Sequence, residues 1–375
     1  MKALYRKYRP LSLDDVVGQE QVTKPLANAL EQHKISHAYL FTGPRGTGKT
    51  SVARIFAHAV NQFEYKLEDD YVDIVEIDGA SNRGIENIRE IREKATIKPT
   101  VGKYKIYIID EVHMLTREAF NALLKTLEEP PEHVIFIMAT TDAHKVPVTI
   151  TSRAQAYTFK LVAPDTIISH LKKICEQESI KIEEDALRLI AKRGGGSFRD
   201  SLSLLDQISS LSSSLITKTE IEKAFGLPED SYIDSLIASY VTFDAAKITE
   251  ILKDLYTSGV KAENIAEEII ARIIDNPVPK TLDLLIQLPE VKAPFAEAKL
   301  LYTMLSNTTQ KETNVSPVPT TSTVPAPAKP ATPAKPTTKI DFRKKMEDLR
   351  KGDLKSKISG IIGGEVQDYG GGSPF

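Results

Sequence analysis

The run Gly43-Pro44-Arg45-Gly46-Thr47-Gly48-Lys49-Thr50 has the spacing G-x-x-x-x-G-K-T. Its glycines let backbone N–H groups turn inward on an anion. The Lys49 ammonium suits the outer phosphates of a nucleoside triphosphate, the Thr50 hydroxyl suits Mg²⁺, and Ser51 opens a helix whose N-terminus adds positive potential. About sixty residues on, the apolar run 105–109 ends in Asp110-Glu111-Val112-His113. A carboxylate at the C-terminal end of a buried strand lies beside such a loop, so Asp110 suits the metal's water shell. Glu111, one residue on, suits the role of general base on an attacking water. An acidic pair alone often only caps a helix; coupled to the phosphate loop, it turns the reading from a kinase toward hydrolysis with conformational output. Three more polar residues are candidates for sensing a terminal phosphate: Thr141, Arg153 in Ser152-Arg153-Ala154, and Arg199 after Gly194-Gly195-Gly196. Taken singly they read as a cap threonine and surface arginines. Triphosphate hydrolysis needs cationic help in its transition state, which gives the arginines a task. His113 has no partner visible in the sequence and reads as structural.

These residues need a scaffold, and the sequence alternates short apolar, β-branched runs with amphipathic segments. Residues 38–42, 73–78, 105–110, 134–139 and 156–159 read as buried strands, and 51–61, 85–95 and 117–128 as helices. That alternation predicts an α/β fold, a parallel five-stranded sheet covered on both faces. Beyond residue 163 the strands stop: 165–178, 183–192 and 198–210 read as a small helical lid, and 217–305 as further helices broken at Gly226-Leu227-Pro228, Gly259 and Pro277 to Pro279. Seven of the twenty residues from 317 to 336 are proline, which suits an extended tether rather than a core. The expected division is therefore 1–162 nucleotide-binding, 163–213 lid, 214–305 helical, 306–338 linker and 339–375 tail, with an amphipathic helix expected at 342–354.

The 375 residues suffice for two or three domains, and 41% hydrophobic with 27% charged residues excludes wholesale disorder or a fibrous repeat. The net charge of −2 argues against a strongly basic nucleic-acid binder but leaves room for a local phosphate-binding surface. Residues 217–305 are the acidic part, with 15 acids against 9 bases; 339–357 is basic, with 8 against 4. A single cysteine, Cys175, excludes an intrachain disulfide framework and reads as a small buried hydrophobe. No apolar run is long enough to span a bilayer, and the start of the chain lacks a signal-peptide core. A cytoplasmic location without membrane contact is expected.

Several further runs carry a resemblance. Tyr5 to Pro10, Asp15 to Glu20, His37 to Phe41, Glu76 to Asn82, Asp110 to Leu115, Asn121 to Pro131, Ala139 to Thr141, Ser152-Arg153 and Ser197 to Asp200 join the phosphate loop. Together they are similar to the ATPase subunits of bacterial replicative clamp loaders, the DNA polymerase III gamma/tau family. The resemblance is strong over about residues 1–210 and weaker to about 305. It implies an AAA+ P-loop ATPase domain, an all-α lid and an all-α collar through which subunits self-associate. It further implies ATP and Mg²⁺ as ligands, with delta and delta-prime subunits, a sliding clamp and primed DNA as partners. The ATPase would drive opening and loading of the clamp as part of the polymerase holoenzyme.

Carried over by position, Gly43 to Ser51 cradle the phosphates, and Thr50 and Asp110 serve Mg²⁺. Glu111 is the catalytic acidic residue, Thr141 the first sensor, Arg199 the second sensor in cis, and Arg153 the finger that completes a neighbour's site. Tyr8, Arg9, Pro10 and Val17 lie near the adenine, and Ser81, Asn82 and Arg83 face DNA. A solvated loop is the competing reading of those last three. The sequence departs from the family pattern at 61–71, where a short bridge without cysteine replaces a four-cysteine zinc module, so no zinc is expected. Ala154 stands where the family carries cysteine. The tail is short for the long form that binds the polymerase alpha subunit and the replicative helicase; residues 339–362 are its candidate docking segment, and Pro374-Phe375 ends the chain. A replisome scaffold with secondary hydrolysis, and a related AAA+ DNA motor such as a branch-migration helicase, stand as alternatives.

Overall fold

A computed structural model describes residues 2–66, 71–211 and 214–309. The expected tether beyond 309, the tail and its helix at 342–354 lie outside the described residues. Five strands form one sheet: β1 (Ala38–Thr42), β2 (Ile74–Asp78), β3 (Lys105–Asp110), β4 (Val134–Thr140) and β5 (Gln155–Thr158). Their order is β2-β3-β4-β1-β5, and every neighbouring pair is parallel. β1 and β4 are buried along their whole length, as unbroken apolar runs between two helical layers must be.

Alternate strand residues feed two cores. Leu40, Tyr107, Ile109, Phe136 and Met138 pack with Ile88 and Ile91 of α4 (Ile85–Ala95) and Phe120 and Leu123 of α5 (Arg117–Glu128). On the other face Tyr39, Phe41, Ile106, Ile108 and Ile137 meet Val22 and Leu26 of α2 (Glu20–Glu31) and Val52 and Phe56 of α3 (Lys49–Val60). The sheet's C-terminal edge therefore collects the ends of β1, β3 and β4, where a doubly wound sheet binds its ligand. Between α3 and β2 the described part of the bridge is packed by aromatic rings: Phe63 stacks on Tyr71 at 4.3 Å, and His58 meets Tyr65 at 4.8 Å.

After the short helix α6 (Val148–Thr151), a third core is built by α7 (Pro164–Glu178), α8 (Glu184–Arg193) and α9 (Phe198–Ser209). Ile216 and Ile221 join it from the approach to α10 (Lys218–Phe225) and from that helix itself. Leu4 of α1 (Leu4–Lys7) is seated in the same core, so the start of the chain is anchored to the lid helices rather than to the sheet. Cys175 is buried there, and burial pushes its thiol up to about 11, which leaves it the inert hydrophobe its context suggests. A fourth core holds α11 (Asp230–Thr242), α12 (Ala245–Thr257), α13 (Ala262–Asp275), α14 (Leu284–Gln287) and α15 (Ala296–Thr309). The helix breaks fall at Gly226 and Gly259, both with left-handed backbone, and at the prolines 277 and 279. Among the described residues no helix is long and apolar enough to cross a membrane.

Candidate nucleotide site

The phosphate loop joins β1 to α3. Two of its glycines are demanded by close approach as well as by positive φ. A Cβ on Gly43 (φ 140°) would sit 2.3 Å from the Phe159 carbonyl oxygen, and one on Gly46 (φ 75°) 1.9 Å from Ser197 Oγ. The second contact matters most: Ser197 caps α9 by accepting from the Asp200 N–H at 3.2 Å, so the lid helix that carries Arg199 starts on the loop itself.

Lys49 is buried, 5% exposed, and its ammonium donates to the carbonyls of Gly43 at 2.8 Å and Pro44 at 2.7 Å. Burial lowers its pKa, and Glu111 and Asp110 partly offset that. Gly43 and Pro44 thus act through their carbonyls, whereas Arg45 to Ser51 line the cavity. The Thr50 hydroxyl donates to Asp110 Oδ2 at 2.7 Å, and the Glu111 N–H donates to the other carboxylate oxygen at 2.9 Å. Burial raises the Asp110 carboxyl above its ordinary value, with Glu111 and Glu76 adding to the shift, against the hydrogen bonds that favour its charge. A hydroxyl and a carboxylate oxygen side by side form a donor set suited to Mg²⁺, which prefers oxygen ligands.

Glu111 has left-handed backbone (φ 46°, ψ 47°), a conformation that costs a non-glycine residue about 1–3 kcal/mol and clusters at functional sites. Its Oε2 accepts from the Thr141 N–H at 3.1 Å and hydroxyl at 2.9 Å. His113, structural on the sequence reading, is more than that: its Nδ1 lies 3.3 Å from the same Glu111 oxygen and 3.0 Å from Thr140 Oγ1. The pairing crosses from the β3 end to the β4 end, and no spacing rule reveals it.

A cavity of about 180 Å³ opens beside these residues. Tyr8, Arg9, Pro10 and Val17 line it from the N-terminal segment, Asp110, Glu111 and Thr141 from the strand ends, and Arg199 from the lid. Tyr5, Asp15, Val16, His170, Phe198 and Leu202 line it too; Tyr5, Asp15, Val16 and Phe198 lie in runs that carry the resemblance without a site role of their own, and His170 and Leu202 have no sequence signal. His170 and Phe198 meet edge to face at 5.0 Å, and burial lowers the His170 pKa, which favours neutral imidazole. The Tyr8 hydroxyl donates to Glu178 Oε1 at 2.5 Å, and burial together with that carboxylate pushes the phenol up to about 12.

Arg153 does not join this cavity. Its Nη1 donates to the Thr149 carbonyl at 2.9 Å and its Nη2 lies 2.9 Å from Glu128 Oε1 at the end of α5. Ser81, Asn82 and Arg83 are also outside it, in a turn after β2. There the Ser81 hydroxyl donates to Asp78 Oδ2 at 2.6 Å, the Asn82 amide to the Asp78 carbonyl at 3.0 Å, and Arg83 Nε to the Ala80 carbonyl at 2.8 Å.

Residues 18–163 match the family model described as DNA polymerase III, delta subunit, and residues 166–212 match that of the DNA polymerase III clamp loader subunit, ATPase lid domain. The chain is 43% identical over 327 residues to DNA polymerase III subunit tau of Bacillus subtilis, covering 81% of this chain and 58% of that protein. It is 38% identical over 283 residues to subunit tau of Escherichia coli, covering 72% of this chain and 44% of that protein. The chain belongs to the DNA polymerase III gamma/tau family. It spans about half the length of the gamma/tau relatives it matches. The parallel sheet, the phosphate loop after β1 and the lid give it the family's AAA+ P-loop fold, which implies use of nucleotide and Mg²⁺. Among solved structures, the Thermotoga maritima RuvB Holliday junction branch migration motor aligns at a TM-score of 0.48 and 21% identity, covering 73% of this chain and 94% of that one.

Proposed function

We propose that the chain is the ATPase subunit of a DNA polymerase III clamp loader, which binds ATP with Mg²⁺ and uses its hydrolysis to open a sliding clamp and load it onto primed DNA. One observation carries the reading: a nearly complete hydrolytic site gathers on one cavity while Arg153 stands apart on the surface, tied to Glu128. A site short of one cation in cis is one that a neighbouring subunit completes, and an arginine supplied in trans is worth about 10³–10⁵ in turnover.

Each residue then has a task. Lys49 leaves the loop carbonyls for the outer phosphates, and the backbone from Gly43 to Ser51 wraps them. Thr50 and Asp110 hold Mg²⁺, which when bound neutralises phosphate charge. Glu111 takes the proton of the attacking water, and Thr141, which bonds Glu111 through both N–H and hydroxyl, orients it. Arg199, starting beside the loop, meets the terminal phosphate. Tyr8, Arg9, Pro10 and Val17 hold the adenine end, with Val17 giving it apolar contact. Helices α11 to α15, which expose Ile274, Ile286 and Tyr302, with Phe295 exposed just before α15, serve as the collar for self-association. Delta and delta-prime subunits complete the ring, with the sliding clamp and primed DNA as its substrates. Asn82 and Arg83, beside Ser81, meet the DNA backbone through side-chain N–H groups that the turn's own hydrogen bonds leave over. The polymerase alpha subunit and helicase are assigned to the tail, and no zinc is assigned to the cysteine-free bridge at 61–71.

The test is ATP hydrolysis by the reconstituted assembly with and without primed DNA and clamp. A stimulation of at least about tenfold is expected when both are present; equal rates in all mixtures would overturn the reading.

A further inference from the structure

The aromatic ring that borders Arg199 lies almost two hundred positions away in the sequence, near the start of the chain. Arg199 is exposed, and among the described residues no carboxylate pairs with it. What its guanidinium does touch is an aromatic face: Arg199 Cζ lies 5.2 Å from the ring centroid of Tyr5. That is within the roughly 6 Å over which a ring attracts a cation.

Tyr5 can serve as a fixed platform because α1 is held to the lid at three points. Leu4 is 7% exposed in the lid core, and both the Lys7 ammonium and the Tyr8 hydroxyl reach Glu178 Oε1, at 2.5 Å each, at the end of α7. The other end of the Arg199 side chain is fixed as well. A Cβ on Gly46 would lie 3.4 Å from Arg199 Cβ, so the arginine springs from directly above the phosphate loop. The Tyr5 hydroxyl accepts from Arg6 Nε at 3.2 Å and is also within reach of Arg199, so ring face and oxygen together border the guanidinium.

We infer that Tyr5 is a positioning residue for Arg199, its ring holding the guanidinium over the phosphate loop so that a nucleotide with a terminal phosphate is bound more tightly than one without it. This deepens the proposed function and rests on the reading that Arg199 meets the terminal phosphate. A free arginine side chain must give up rotamer freedom to reach a phosphate, and a ring beneath it removes part of that cost beforehand. The advantage goes only to ligands that Arg199 touches. Tyr5 therefore acts on the ratio of ATP to ADP affinity rather than on nucleotide binding as a whole.

Equilibrium binding of ATP and of ADP to the full chain, with Mg²⁺, tests this in Tyr5→Leu, Tyr5→Phe and Arg199→Ala. Tyr5→Leu is expected to weaken ATP roughly two- to fivefold, the size of an exposed cation–π contact, with ADP affinity as in the wild type. Phenylalanine keeps the face and loses only the hydroxyl, so Tyr5→Phe restores the discrimination that leucine loses. Arg199→Ala should reduce the ATP-to-ADP ratio at least as far as Tyr5→Leu. If Arg199→Ala changes the ratio and Tyr5→Leu does not, the positioning role is wrong. Equal weakening of ATP and ADP by Tyr5→Leu also overturns it, because the ring would then be only cavity wall. A ratio untouched by Arg199→Ala overturns the sensor reading beneath it.

Discussion

Asp110 shows how a binding site is kept ready at the expense of the fold around it. Burial raises its carboxyl above the ordinary value of 3.8, and Glu111 and Glu76 push in the same direction. A carboxyl raised in the folded state lends stability below the unfolded value, and that contribution is lost as pH rises through the folded one. At neutral pH the ionised Asp110 is thus a burden, one that Mg²⁺ would relieve under the proposed function. Asp110→Asn is expected to raise the melting temperature of the nucleotide-free chain by about 2–4 °C near neutral pH, with the gain shrinking as the pH falls toward the ordinary carboxylate range. Scanning calorimetry across that range checks it. The same variant should lose Mg²⁺-dependent hydrolysis, because the oxygen pair with Thr50 at 2.7 Å is broken up.

At the scale of elements, one buried carboxylate organises the approach to β3. Asp73 is 2% exposed and accepts from the N–H groups of Thr100, Val101 and Gly102 at 2.7, 2.6 and 2.7 Å. Burial alone would raise its pKa; the three N–H groups, with Lys105, outweigh it and hold the carboxyl below its ordinary value. A depressed pKa gives stability that is present above the unfolded value and lost as pH falls through the folded one. Asp73→Ala, which strands three donors, should cost about 3 kcal/mol, read as a lowered urea midpoint with unchanged slope.

Most of these elements are legible in the sequence because apolar runs and their punctuation are local. β1 and β3 have the expected bounds, and α4 and α5 likewise. α3 starts at Lys49 rather than 51 because Gly48, with φ 101°, ends the loop two residues earlier than polarity suggests. The candidate site is legible where a motif fixes it, as in Gly43 to Thr50 and Asp110-Glu111. It is not legible where side chains meet across the fold: His113 with Thr140, Tyr5 with Arg199, and Arg153 with Glu128. Periodicity says which face a residue takes, but not which residue a hundred positions away shares it.

Under the proposed function, the molecule as a whole links its site to those of neighbouring subunits. The lid and the C-terminal helices are joined by Lys192 to Glu268 and Arg193 to Glu267, both at 2.8 Å, and by the Asn264 amide donating to the carbonyls of Phe225 and Gly226 at 3.2 and 2.8 Å. Exposed ion pairs of this kind contribute only about 0–1 kcal/mol each, so the joint is held in orientation more than locked. Arg199 reaches the cavity from the lid, while Arg153 faces away from it beside the last turn of α5. The proposed function therefore assigns the two arginines to different nucleotides, one in the same chain and one in the next. Arg153→Ala tests that division most directly, by nucleotide affinity of the single chain together with clamp- and DNA-stimulated turnover of the assembly. The account predicts affinity within about twofold of the wild type and turnover reduced at least about 100-fold. Wild-type turnover in the assembly, or a tenfold loss of affinity in the single chain, would contradict it.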